Sequence, residues 1–194
     1  MAESVVSNGL PQRFRVARLG VADAPGYRAL MLHAYESAAD AFTSTPQERA
    51  AEPLAWWLER IAGPDGRSQV FGAFLDEVLV GALTLERAAQ AKTRHKAHLA
   101  GMFVVQSARG RGVGRALMQA AMCLAAERAG IRVVTLTATE GNAAAIALYS
   151  AFGFRIFGVE PMAIATPEGF KAKVHMWVEL APAPAPAPVI GGAA

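Results

Sequence analysis

The stretch Arg109-Gly110-Arg111-Gly112-Val113-Gly114-Arg115 sets three glycines within five residues, between an apolar run through Val105 and an amphipathic helical pattern. Glycine lets the backbone turn tightly and approach a ligand closely, and the helix that follows begins with N–H groups that lack intrahelical partners. The natural occupant of such a cradle is an anion, a phosphate above all. The three arginines add electrostatic attraction or form a solvated face. The spacing excludes two kinds of phosphate loop. A dinucleotide fingerprint begun at Gly110 would need its third glycine at Arg115, and one begun at Gly112 would need it at Leu117. A nucleoside-triphosphate loop would need Gly-Lys-Ser/Thr, which the stretch lacks.

Other positions can move protons. His98 is the polar exception in an apolar strand over 97–105, with Leu99 and Phe103 on one face and Ala100, Met102 and Val104 on the other. Tyr149 lies in a short helical pattern from Asn142 to Phe152 that Gly153 ends. Lys92-Thr93-Arg94-His95-Lys96 is a basic cluster that fits a solvated loop better than a binding surface. Cys123, in the middle of a helix, fits a small buried residue rather than a nucleophile.

The elements that position these groups follow from periodicity and punctuation. A strand over Phe14–Leu19 precedes a helix from about Ala24 to Ala39, with Asp23 as N-cap. After a loop through Phe42 to Pro46, a second helix begins near Glu52, carries Leu54, Trp57, Leu58 and Ile61, and stops at Gly63-Pro64. Gln69–Leu75 and Val78–Glu86 flank Asp76-Glu77 as an antiparallel hairpin. The helix after the glycines stacks Leu117, Ala120, Ala121 and Leu124 and ends near Gly130, before a strand over Ile131–Thr137. A strand, a crossover helix and a strand within that length imply a parallel unit. Phe154–Val159 and Lys173–Leu180 close a mixed α/β sheet.

Composition bounds the rest. A hydrophobic fraction of 53% in 194 residues suits one domain with its own core. Lys+Arg of 19 against Asp+Glu of 16 leaves +3, too little to argue for nucleic acid or a membrane surface. A single cysteine rules out an intramolecular disulfide and thiolate metal clusters, and no run reaches the roughly 20 apolar residues of a spanning helix. The setting expected is the cytoplasm, with no membrane or nucleic-acid partner. Residues 1–12 are expected to be flexible, 13–180 to form the domain, and 181–194, where Ala-Pro repeats, to be an extended, coreless tail.

Arg109-x-x-Gly112-x-Gly114, followed in order by Asn142-x-x-Ala145-x-x-Leu148-Tyr149 and Gly153-Phe154, resembles the GNAT superfamily of acetyl-CoA-dependent N-acetyltransferases. The likeness extends in less detail from Phe14 to Leu180. It implies a single α/β domain, a mixed central sheet flanked by helices, with parallel strands splayed around the cofactor. It assigns the pyrophosphate to the backbone of Arg109, Gly110, Arg111, Gly112, Val113, Gly114 and Arg115, and the pantetheine arm to the main chain of Met102, Phe103 and Val104. Asn142 would touch the cofactor from the other side.

The same resemblance implies direct acetyl transfer from acetyl-CoA to a primary amine, without a metal or a covalent enzyme intermediate. Neither motif contains a cysteine that could be acylated. A lysine-like amine, with a pKa near ~10.4, must lose a proton before attack, and the departing thiolate benefits from a donor. The family position makes Tyr149 that donor. His98 stands where many relatives carry a glutamate as base, and imidazole is chemically admissible there. An ordinary hydrogen-bonded core histidine is an equal account, with Glu140 and His95 in reserve. The family's usual acceptor region maps onto His33, Tyr35, Glu36, Phe42, Trp56 and Trp57. A small molecule, an amino acid, an antibiotic and a protein N-terminus all remain open as acceptors. Homodimerisation is common in the family without support of its own in this sequence. The alternative is a non-catalytic coenzyme A-binding regulatory module.

Overall fold

The computed structural model describes residues 14–63 and 65–181. In chain order its main elements are β1 (Arg15–Arg18), α1 (Ala24–Ser37), α2 (Pro46–Ala50), α3 (Leu54–Ala62), β2 (Ser68–Leu75), β3 (Val78–Arg87), β4 (Lys96–Val104), α4 (Val113–Glu127), β5 (Val133–Thr139), α5 (Ala143–Ala151), β6 (Arg155–Thr166) and β7 (Gly169–Glu179). The expectations for residues 1–12 and for the Ala-Pro repeat beyond Ala181 fall outside the described residues. No described helix is long and apolar enough to cross a membrane.

One sheet of seven strands runs in the order β1-β2-β3-β4-β5-β7-β6. The first four strands are antiparallel neighbours, and β4 and β5 are the parallel pair that α4 connects. The hairpin turn between β2 and β3 puts both Asp76 and Glu77 at positive φ, 47° and 63°, the backbone of the favoured mirror-image turn without its usual glycine. Two apolar cores lie on the sheet's two faces. Leu117, Met118 and Ala121 of α4 pack with Leu83, Leu99 and Leu136 on one. Tyr27 and Met31 of α1 pack with Trp57 of α3 and Phe103 on the other.

Leu99 and Phe103, expected on one face of β4, therefore lie on opposite faces. The cause is an extra residue. Ala100 pairs with Thr84 and Phe103 with Ala82, so three steps on β4 match two on β3. Gly101 takes up the mismatch at φ +64, the left-handed conformation that starts a β-bulge at little steric cost to glycine.

Other departures are local. The stretch before α3 contains α2, which Thr45 and Glu48 open with a reciprocal capping box. Asp23 precedes α1 but does not cap it; its carboxylate accepts from the Gly20 N–H at 2.8 Å, closing the single turn before the helix. α4 ends at Glu127 rather than near Gly130. Cys123 is exposed, because the buried stripe of α4 runs through Val113, Leu117, Ala121 and Ala125 and leaves position 123 on the outer face. β6 and β7 run on to Thr166 and from Gly169, well past the strand ends expected. Pro161 is tolerated because β6 is an edge strand and its register breaks between Glu160 and Ile164.

Replacing Gly101 by valine should destabilise the fold by about 1–3 kcal/mol through backbone strain, since its Cβ would meet nothing closer than Thr84 Oγ1 at 3.6 Å. Denaturant unfolding measures this, and an unchanged midpoint would show that the bulge does not need glycine.

Candidate active site

β4 and β5 pair in parallel from Lys96↔Val133 to Leu99↔Leu136 and then stop, although both strands continue. Past Leu99 the edge of β4 that faced β5 therefore has no strand partner among the described residues. The gap opens into a cavity of about 280 Å³. Its inner wall is Leu99 to Met102 on one side and Thr137 to Thr139 on the other. Asn142, Ala145 and Tyr149 of the α5 region line it from one flank, and Tyr27, Tyr35 and Phe42 from the α1 flank.

The glycine loop leads from the end of β4 to α4. Gly110 and Gly112 sit at φ +74 and +81, a region L side chains rarely adopt, so both glycines are conformationally required. Gly112 is the N-cap and supplies no side chain. The amides of Val113, Gly114 and Arg115 have no backbone acceptor among the described residues, and the first bond of the helix is Ala116 N–H to the Gly112 carbonyl. Such a first turn presents donors and a positive dipole end to an anion. The Arg109 side chain turns back onto the end of β4, where Nε donates to the Val104 carbonyl at 3.0 Å. The Arg115 guanidinium lies 5.6 Å from the Phe152 ring centroid. Met102 faces the cavity, whereas the Phe103 side chain is buried toward α1 with its ring 5.9 Å from that of His33.

His98 and Tyr149 both line the cavity. The Thr135 hydroxyl donates to the Ala97 carbonyl at 3.3 Å and contacts His98 Nδ1 at 2.9 Å. A hydroxyl has one proton, so with that proton committed to Ala97 it accepts from Nδ1–H, and the assigned tautomer leaves the lone pair on Nε2. Burial lowers the pKa of His98 below its ordinary 6.5, Glu86 opposes this, and Lys173 and His175 reinforce it. The imidazole is thus neutral at pH 7. Tyr149 is only 6% exposed, and burial pushes its phenol up to about 12, so it holds its proton throughout the physiological range.

Several expected residues lie elsewhere. His95 and the basic cluster are at the opposite end of β4 from the bulge, as a solvated loop requires. Glu140 borders a separate surface groove with Glu36. Of the six acceptor-side residues only Tyr35 and Phe42 line the cavity, their rings 4.7 Å apart. Trp57 is core at 1% exposure, and Asn142 spends its side-chain oxygen on the Ala145 N–H at 3.2 Å while still lining the wall. Sequence reasoning missed Arg49, Arg60 and Lys173, which also line it. The Thr45-Pro46-Gln47-Glu48 capping signature just before Arg49 was the available clue to the first.

Residues 31–154 match the Acetyltransferase (GNAT) family. No curated protein matches the chain significantly. Among solved structures, a GCN5-related N-acetyltransferase from Kribbella flavida is 27% identical with a TM-score of 0.70, covering 88% of this chain and 100% of that one. A ribosomal-protein-alanine N-acetyltransferase from Brucella melitensis is 25% identical at a TM-score of 0.71, with 86% and 99% covered. A Salmonella typhimurium protein solved with its cofactor acetyl-CoA is 21% identical at 0.73, with 90% and 98% covered. The chain belongs to the GNAT acetyltransferase family and is an enzyme of acetyl-CoA-dependent acetyl transfer.

The residues present fit that cosubstrate. A diphosphate suits the uncapped first turn of α4, and an amide-bearing arm suits the unpaired edge of β4 past Leu99.

Proposed function

We propose that the enzyme moves the acetyl group directly onto a primary amine, with His98 as general base and Tyr149 as general acid. The observation that carries this reading is that a neutral histidine and a protonated tyrosine share one cavity where the parallel strands part. Acetyl-CoA, when bound, supplies an activated acyl carbon and a thiolate leaving group. In this reading the backbone of residues 109–115 and the side of Asn142 hold the nucleotide end, and the main chain of Met102 to Val104 aligns the arm. The acceptor's ammonium form first gives one proton to solvent, and His98 Nε2 takes a second from the nitrogen as the neutral amine attacks, directly or through water. A β4 amide on the open edge donates to the negative charge that develops on the acyl oxygen. Tyr149 protonates the departing sulfur and is restored by the proton that His98 releases.

Direct transfer rather than an acyl-enzyme is supported by the position of Cys123, which lies on the outer face of α4 and does not line the cavity. The general test is release of coenzyme A thiol from acetyl-CoA against an amine panel, with mass spectrometry locating the acetyl group on nitrogen. Acetylation only of hydroxyls would overturn the reading.

Residue roles are tested separately. Tyr149→Phe should lower turnover roughly 10²-fold, the low end for a lost general acid, with acetyl-CoA affinity retained; near-normal turnover removes Tyr149 from the mechanism. Because the pKa of His98 is depressed, its base form persists on acidification, and the acid limb of kcat/KM should have its midpoint below 6.5. His98→Ala should abolish that limb, and an unaltered pH profile would exclude it as the base. Gly112→Val forces a branched side chain to φ +81 with no steric contact within 4 Å, so it should fold yet raise the Kd for acetyl-CoA by roughly 10-fold or more, the equivalent of ~1.4 kcal/mol. Equal affinity by calorimetry would count against the loop as the pyrophosphate site.

A further inference from the structure

The cavity wall carries a charge pattern that proton transfer alone does not require. Arg49, Arg60 and Lys173 line the wall, and no aspartate or glutamate does so among the described residues. Arg49 belongs to α2 and Arg60 to α3, and both guanidinia lie over the ring of Trp56, 4.6 and 4.9 Å from its centroid. The stack holds the two cations against one rigid plane. Each also has an anchor. Arg49 Nη2 donates to Ser44 Oγ at 2.6 Å and Nη1 stands 3.7 Å from Glu52. Arg60 Nη2 pairs with Glu86 at 3.1 Å.

The anchoring is incomplete where it matters. Arg49 Nε is buried and has no hydrogen-bond partner. That atom is shielded, so it marks an incompletely anchored side chain, and a ligand in the cavity meets the quarter of the Arg49 side chain that stays exposed. The diphosphate cradle is a poor candidate for that ligand: α4 packs on one face of the sheet, whereas Trp57 and Ile61 place α3 on the other. The remaining candidate is the acceptor itself. A polyamine or a lysine-like side chain would meet three cations and no carboxylate on the wall itself, Glu52 and Glu86 being held behind the arginines, whereas a carboxylate meets planar, bidentate-capable guanidinium forks.

We propose that Arg49 and Arg60 bind the carboxylate of the acceptor, so that the amine acetylated is a small free amino acid. This rests on the N-acetyl transfer reading above. Once the carboxylate is docked on the α1 flank, the amino group extends toward His98 and the parted strands, and the reaction is the ordinary exchange: an N–C bond forms, the acyl C–S bond breaks, the amine's proton passes to the base, and the sulfur leaves as the thiol with the proton of Tyr149.

The test measures thiol release by the full-length protein at saturating acetyl-CoA with α- and ω-amino acids, their primary amides, the matching decarboxylated amines, spermidine and short peptides. The best acceptor should be a free amino acid, and its amide and decarboxylated forms should fall by roughly 10²-fold in kcat/KM, as expected when a polar site loses its partner. In Arg49→Gln that ratio should collapse to within roughly 10-fold, mainly through KM for the acid. Arg60→Gln provides the second variant should the first not fold, and the ratio does not depend on the fraction folded. Equal use of acid and amide, preference for spermidine or for peptides, or an unchanged ratio in both variants would overturn the assignment. N-acetylation of neutral amines without carboxylate preference removes only this inference, whereas the absence of any N-acetylated product removes the transfer reading as well.

Discussion

The site depends on one failure of pairing. A parallel β-pair is held by evenly spaced hydrogen bonds, and both partners must keep the same advance per residue. β4 does not do so past Leu99: the extra residue at Gly101 breaks its advance before pairing with β3 resumes at Phe103, while β5 keeps an unbroken register with β7. Two consequences follow together. Backbone donors and acceptors on the inner edge of β4 are left for a ligand, and the side chains after the bulge exchange faces, sending Phe103 into the α1 core and Met102 toward the cavity. A strand of uninterrupted register would have buried both edges and left no slot.

How much of this was legible follows from how local each determinant is. The glycine loop and the Asn142–Tyr149 segment carry their conformations in consecutive residues, so positive φ at Gly110 and Gly112 and the N-cap at Asn142 could be read directly. The bulge could not be read in the same way. A lone glycine inside a strand signals one only weakly, and the switch of faces is decided by the register against β3. The short α2 was overlooked although its capping residues are consecutive, because a five-residue helix has almost no periodicity. The β6–β7 extension was hidden by Pro161 and by Met162 at φ +52, which resemble loop punctuation unless the strand is known to be an edge.

The cation-bearing flank of the cavity is assembled from parts remote in sequence, which explains why its charges escaped notice. Thr139 at the end of β5 donates to the Asp40 carbonyl at 2.6 Å, and Lys171 of β7 pairs with the Asp40 carboxylate. These bonds fasten the turn after α1 over the parted strands. Arg49 and Arg60 meet only through Trp56, whose role as the plane between them is invisible when it is counted as one more apolar residue of α3.

Charge and proton transfer are coupled in this arrangement. A cation-lined wall disfavours an ammonium and so lowers the pKa of an amine bound beside it, in the same direction that burial and Lys173 act on His98. In the proposed mechanism both members of the proton-transfer pair, amine and His98, are therefore driven toward their neutral forms, which leaves the driving force between them less changed than either shift taken alone. The phenol moves in the opposite chemical sense: burial raises the Tyr149 pKa to about 12, so it keeps its proton, as the proposed donor role requires. Burial thus sorts the proposed base and acid by charge type, because desolvation removes the proton from a cationic acid and retains it on a neutral one.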